Sequence, residues 1–174
     1  MAEAVVQAPT TLILSNGPIA EGDSQVTITA KLMDERSDSV SLGWETRDGS
    51  ATSLGDYISN SGTLSFSPGE TEKTFSIGIS DDNIFEEQEE FTIRLSPSDK
   101  INLSSHSYSL KISDNEAEPI ISVVNSVNGY EKDDEVTFGI SLNPPASFPI
   151  SVDYSTNLTE TELTTLLGID VETA

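Results

Sequence analysis

The chain has 174 residues, with 30 Asp and Glu against 8 Lys and Arg, for a formal net charge of −22. This balance argues against nucleic acid and anionic membrane surfaces as partners, since binding phosphate needs Lys and Arg. There is no cysteine, so neither a disulfide framework nor thiol chemistry is available, and no run of about 18 apolar residues that would insert into a membrane.

The N-terminus lacks the basic and apolar regions of a secretion signal. The chain is expected to be cytosolic or an excised piece of a longer protein. Helical periodicity is nearly absent and period-two alternation is frequent. Taken in order, Thr11 to Leu14 form a first apolar run; Val26, Ile28, Ala30 and Leu32 alternate with polar residues; then come Val40, Leu42 and Trp44; Leu64 and Phe66; Phe75, Ile77 and Ile79; Phe91, Ile93 and Leu95; and Tyr108, Leu110 and Ile112. Turn signals separate them: Asn16-Gly17-Pro18, Asp48-Gly49-Ser50, Ser61-Gly62 and Ser67-Pro68-Gly69. About seven short strands in this spacing predict an immunoglobulin-like antiparallel β-sandwich over residues 1–116, with Trp44 in its core.

The pattern then restarts. The acidic junction Ser113 to Pro119 is followed by strand-like runs at Pro119–Val124, Val136–Leu142 and Ile150–Thr156, with Glu131, Asp133 and Asp134 in a loop between the first two. Residues 117–174 thus read as a partial second β unit, a weak internal repeat. Thr159-Glu160-Thr161-Glu162 fits a capping box, with Leu163, Leu166 and Leu167 at helical spacing before Gly168, and predicts a short helical turn. An unpaired sheet edge in a partial unit would invite self-association.

The acids cluster where strands end. The segment Asp81 to Glu90, DDNIFEEQEE, joins two alternating runs and contains no basic residue. Glu21 follows the first run, Asp56 lies in a loop, and Asp114 with Glu116 ends the last run. A calcium ion takes six to eight oxygens, drawn from carboxylates and backbone carbonyls, and loops meeting at one end of a sandwich could supply them. A solvated acidic loop explains the same run. An EF-hand does not, because the segment lacks the glycine that the motif needs at its sixth position. The one histidine, His106, has no companions for a catalytic triad or a histidine metal site, and clustered acids without aromatic sugar platforms do not suggest glycoside hydrolysis. The chain reads as a binding module and not an enzyme.

Three stretches carry a family resemblance: WETRDGSATSLGDY from Trp44, SGTLSFSPGETEKTFSI from Ser61, and ISDDNIFEEQEEFTIRL from Ile79. Together they resemble the Calx-β domain, over about residues 8 to 116. The family occurs in the cytosolic loop of sodium/calcium exchangers, in an integrin β subunit and in large bacterial surface proteins. The resemblance implies a Ca2+ cluster at one end of the sandwich, held by Glu21, Asp56, Asp81, Asp82, the Ile84 carbonyl, Glu86, Glu89, Asp114, Asn115 and Glu116. Asn115 and Glu116 stand where the family usually has further aspartates, which bears on the number of ions. Glu87 and Glu90 are left as surface charges. The second unit resembles the first half of another copy, with Glu131 matching Glu21 and Asp170 matching Asp56, and no complete second site is expected. The reading that follows is a calcium-binding structural module of an extracellular or cell-surface repeat protein, contacting adjacent repeats of its own chain; the alternative is a cytosolic-side Ca2+ sensor regulating a membrane transporter.

Overall fold

The computed structural model describes residues 8–96, 98–123 and 139–155. The chain divides into two units, Met1–Glu116 and Ala117–Ala174.

In the first unit every alternating run becomes a strand, because a period of two puts its apolar residues on one face of a pleated chain. The strands are β1 (Thr10–Ser15), β3 (Gln25–Leu32), β4 (Val40–Arg47), β5 (Ser61–Phe66), β6 (Glu72–Gly78), β7 (Glu89–Leu95) and β9 (Ser107–Ser113). Two short strands join them: β2 (Ile19–Ala20) and β8 (Ile101–Leu103). They pair in two sheets, ordered β6-β3-β1-β8 and β2-β9-β7-β4-β5. Most pairings are antiparallel, but β1 runs parallel to β8 and β2 parallel to β9.

The core lies between the sheets. Ile28, Ala30, Ile77, Phe91 and Ile93 are fully buried, and Trp44 keeps only 7% of its surface exposed. Trp44 packs on Phe75 with ring centroids 4.1 Å apart. Burying each of these isoleucine and phenylalanine side chains stabilises the fold by about 1.5–3 kcal/mol. Between β5 and β6 the chain crosses from one sheet to the other through Ser67-Pro68-Gly69-Glu70. Pro68 fits the first corner of this turn, and Gly69 takes a φ of 80°, which a side chain would disfavour. Glu70 closes it by accepting a hydrogen bond from Ser67 N at 2.9 Å.

Register brings one set of strand ends together. The parallel pairing of β2 with β9 puts the residues after Ala20 beside those after Ser113. Antiparallel β7 starts there, with Glu89 opposite Ile112. Next to it β4 ends, with Arg47 opposite Thr92, and leads into the loop that carries Asp56. In the other sheet β6 ends at the same level as the start of β3, Gly78 lying opposite Gln25.

In the second unit, β10 (Ile120–Val123) and β11 (Ile140–Asn143) form an antiparallel pair. The strand expected at Ile150–Thr156 is not formed over 150–155. Those residues have no pairing partner among the described residues, and Tyr154 is 90% exposed, so no ladder holds them extended. Glu131, Asp133, Asp134, the capping box with its leucines, and Asp170 lie outside the described residues.

Candidate metal centre

Glu21 is placed by the end of β2. Its N–H donates to Ser113 O at 2.9 Å, which fixes its backbone to β9, and Asp23 caps the turn by accepting from Ala20 N at 2.9 Å. Only 4% of Glu21 is exposed. Asp114 and Glu116 follow β9 directly. One oxygen from each of Glu21, Asp114 and Glu116 lies within 4.8 Å of the others. A second group comes from two loops and the start of β7: Asp56, Glu86 and Glu89 meet the same 4.8 Å limit. Glu21 and Asp114 of the first group and all three acids of the second line one small cavity of about 10 Å3, together with Ile112 and Glu87. That is about the room a single water-sized sphere needs.

Asp56 is held by its own loop. Its Oδ2 accepts from Thr52 N at 2.6 Å and from Thr52 Oγ1 at 3.3 Å. The loop is clipped to β7: Ala51 N donates to Glu90 O at 3.0 Å, and Glu90 N donates to Ser50 Oγ at 2.9 Å. Gly49 permits this approach, because a Cβ there would sit 2.3 Å from Glu90 O. The Tyr57 ring stacks on Phe91 at 4.1 Å, while its hydroxyl donates to Asp48, which also accepts from Ser53 N. Asp56 and Glu89 are thus carried on one stapled piece of structure.

Asp81 and Asp82 lie in the exposed segment after β6. Asp82 accepts from Ile84 N at 2.7 Å, and Asp81 accepts from Asn115 Nδ2 at 3.1 Å. Asn115 therefore ties the segment following β9 to the segment following β6. Gly22 leaves room for it, since a Cβ at Gly22 would lie 3.0 Å from Asn115 Nδ2. Of the two acids expected at the surface, Glu90 is exposed and accepts from Ser109 Oγ at 3.0 Å. Glu87 is exposed but lines the cavity.

The electrostatics show what the cluster lacks. Burial first, and then the charges of Asp82, Glu86, Glu116 and Asp114, push the Glu21 carboxyl up to about 8. Burial, the charges of Asp56 and Glu86, and contact with Asp56 push Glu89 up to about 7. Glu116 is raised by desolvation, by Asp114 and by Asp81 and Asp82. Both Asp114 oxygens and Glu116 Oε2 are buried with no hydrogen-bond donor among the described residues. The contact between Asp114 and Glu116 becomes a hydrogen bond only when one of them holds a proton. Arg36, Arg47, Lys73 and Lys100 pair with Asp38, Glu45 and Glu70 instead. Buried carboxylates in this state need protons or a cation. An all-oxygen set suits a hard cation, and oxygens within 4.8 Å of one another can touch one ion at the 2.3–2.6 Å distances of calcium.

The chain thus presents a carboxylate-lined cavity at the loop end of a two-sheet β-sandwich. The sequence profile of the Calx-beta domain family matches residues 7–116, and the chain belongs to that family. The chain is similar to sodium/calcium exchanger 3 of Homo sapiens, 53% identical over 55 residues that make up 32% of this chain and 6% of the exchanger. It is also similar to sodium/calcium exchanger 2 of Rattus norvegicus, 54% identical over 54 residues, again 31% of this chain and 6% of that protein. Among solved structures, the apo-form Calx CBD1 domain is 30% identical, with a TM-score of 0.55 over 60% of this chain and 98% of that one. The calcium binding domain CBD12 of CALX1.1 shares the fold at 23% identity, with a TM-score of 0.54 over 75% of this chain and 69% of that one.

Proposed function

We infer that residues 8–116 form a calcium-binding regulatory module on the cytosolic side of a membrane transporter of the sodium/calcium exchanger type. The observation that carries this reading is the meeting of acids from both carboxylate groups at one cavity, with Glu21 buried and the Asp114 oxygens without a hydrogen-bond partner among the described residues. The similarity to exchangers favours the transporter reading over the module of an extracellular repeat protein. Glu21, Asp114 and Glu116 would hold one ion and Asp56, Glu86 and Glu89 another, with Asp81, Asp82, Asn115 and the Ile84 carbonyl completing the shells. Calcium supplies the positive charge that the loops lack. The chain's own part is to bring the ends of β2 and β9 and the start of β7 to one point, so that ion binding fixes backbone as far as Glu116, the last residue of the first unit. Residues 117–174 are read as the first part of a second Calx-β-like unit.

Melting the protein in calcium and then in a chelator tests the reading. Saturation at one hundred times Kd should stabilise by about 2.7 kcal/mol; equal midpoints would sink it. Placement on a transporter is checked on the full-length coding sequence, which should carry membrane helices around this segment and not a secretion signal with many repeats.

A further inference from the structure

The outer face of the five-stranded sheet carries a recess of about 460 Å3 lined by Glu45, Arg47, Arg94, Leu95, Ser96 and His106. Its charge is opposite to that of the chain as a whole. Two of the 8 Lys and Arg and the single histidine converge there in a chain of net charge −22. Register places Glu45 directly opposite Arg94, which would ordinarily make them a cross-strand pair. Glu45 instead accepts from its own strand: Arg47 Nε and Nη2 both donate to Glu45 Oε1, at 3.0 and 2.6 Å. The Arg94 guanidinium is left with no hydrogen-bond or ion-pair partner among the described residues. The backbone closes the floor, with Leu95 N donating to His106 O at 2.8 Å and Ser96 N to Gly43 O at 2.9 Å. Side chains are therefore the donors available to a ligand.

We propose that this recess is an oxyanion-binding site, in which Arg94, with Arg47 and His106 beside it, takes the carboxylate or phosphate group of a ligand. The guanidinium fork matches both groups, and Ser96 adds a hydroxyl donor. The volume lies in the range of small-ligand pockets. The acidic loops do not forbid an anion here. Arg94 is five residues along β7 from Glu89, roughly 17 Å at the rise of a strand, about twice the screening length at physiological salt. Arg94 thus stands apart from the carboxylate cavity, and none of the residues lining the recess lines that cavity.

The test follows the one imidazole resonance of the chain, that of His106, during titration with inorganic phosphate and, separately, with an acetylated tri-glutamate peptide. Chloride at matched ionic strength is the control. Saturable displacement of the signal is expected, and Arg94→Gln should weaken it at least tenfold. Because Arg94 is exposed, the variant should keep the wild-type melting point. If it does not, Arg47→Gln serves in its place, with the same loss expected. Saturation by phosphate alone assigns a small ligand, and saturation by the peptide alone assigns an acidic polypeptide segment. Displacement no greater than with chloride, or unchanged in folded variants, overturns the proposal.

Discussion

Replacing Glu21 by glutamine should have opposite effects with and without calcium. In the unfolded chain a glutamate ionises near its ordinary value of 4.5, whereas in the folded chain Glu21 stays protonated up to about 8. At pH 7 folding must therefore place a proton on this 4%-exposed side chain. Over the interval of about 2.5 pH units, at about 1.4 kcal/mol per unit, the calcium-free fold loses about 3.5 kcal/mol. Glutamine has the shape of the protonated acid and no such requirement. Calcium-free Glu21→Gln should gain up to about 3.5 kcal/mol, a rise in Tm on the order of 10 °C for a domain of this size. The same change removes an anionic ligand, so the stabilisation by saturating calcium should shrink by more than half. Scanning calorimetry of both proteins, with calcium and with a chelator, reads all four midpoints. A lower calcium-free midpoint in the variant, or an undiminished calcium increment, refutes the reasoning.

The raised acids also set a pH dependence. Glu21 and Glu89 have folded values of about 8 and about 7, above their ordinary 4.5. Their contribution to calcium-free stability is fully present below about pH 4.5 and is lost as pH rises through 7 and 8, so chelator-treated protein should melt lower at pH 8 than at pH 5. Asp38, held down to about 2 first by Lys100 and then by Arg36, has the opposite sign, but its contribution is lost only as pH falls below 3.8. Calcium binding should release protons at pH 7, read by titration calorimetry in buffers of different ionisation enthalpy. Tyr57→Phe removes a donor to Asp48 and should cost about 1.5–3 kcal/mol by chemical denaturation; calcium affinity should fall with it, as the Asp56 loop loosens. Gly49→Ala should cost roughly 1–3 kcal/mol in the same assay, because its Cβ would have to push Glu90 O aside.

The seven longer strands were legible because each buries one face and so writes its geometry into a period of two. β2 and β8 were not. At two and three residues they are too short to show alternation, and they exist because β9 and β1 offer a parallel edge to pair with. The candidate ligands follow from residue types, strand ends and resemblance, yet their division into two groups could not be read that way. Glu21 joins Asp114 and Glu116 only through the β2–β9 register, and Asp56 joins Glu89 only through the clip at Ala51 and Glu90. Glu87 shows the same limit: its neighbours along the chain do not reveal that the loop turns it toward the cavity. Asn115 sits at an expected ligand position, but its amide nitrogen points to Asp81, a choice that follows from the acids around it.

The parallel pairing of β2 with β9 has a consequence for load. Tension on the first unit enters near Ala8 and leaves near Glu116. Once β1 has been pulled from β3 and β8, the tension draws β2 and β9 past each other in opposite directions, since two strands of the same sense are being pulled from opposite ends. The bonds between them, such as Glu21 N to Ser113 O, are then strained together in shear and not unzipped one by one. Glu21 and Asp114 stand at the ends of those two strands. An ion between them would act as a rivet across the shear plane, so that the calcium level around the protein would set the force at which this unit yields.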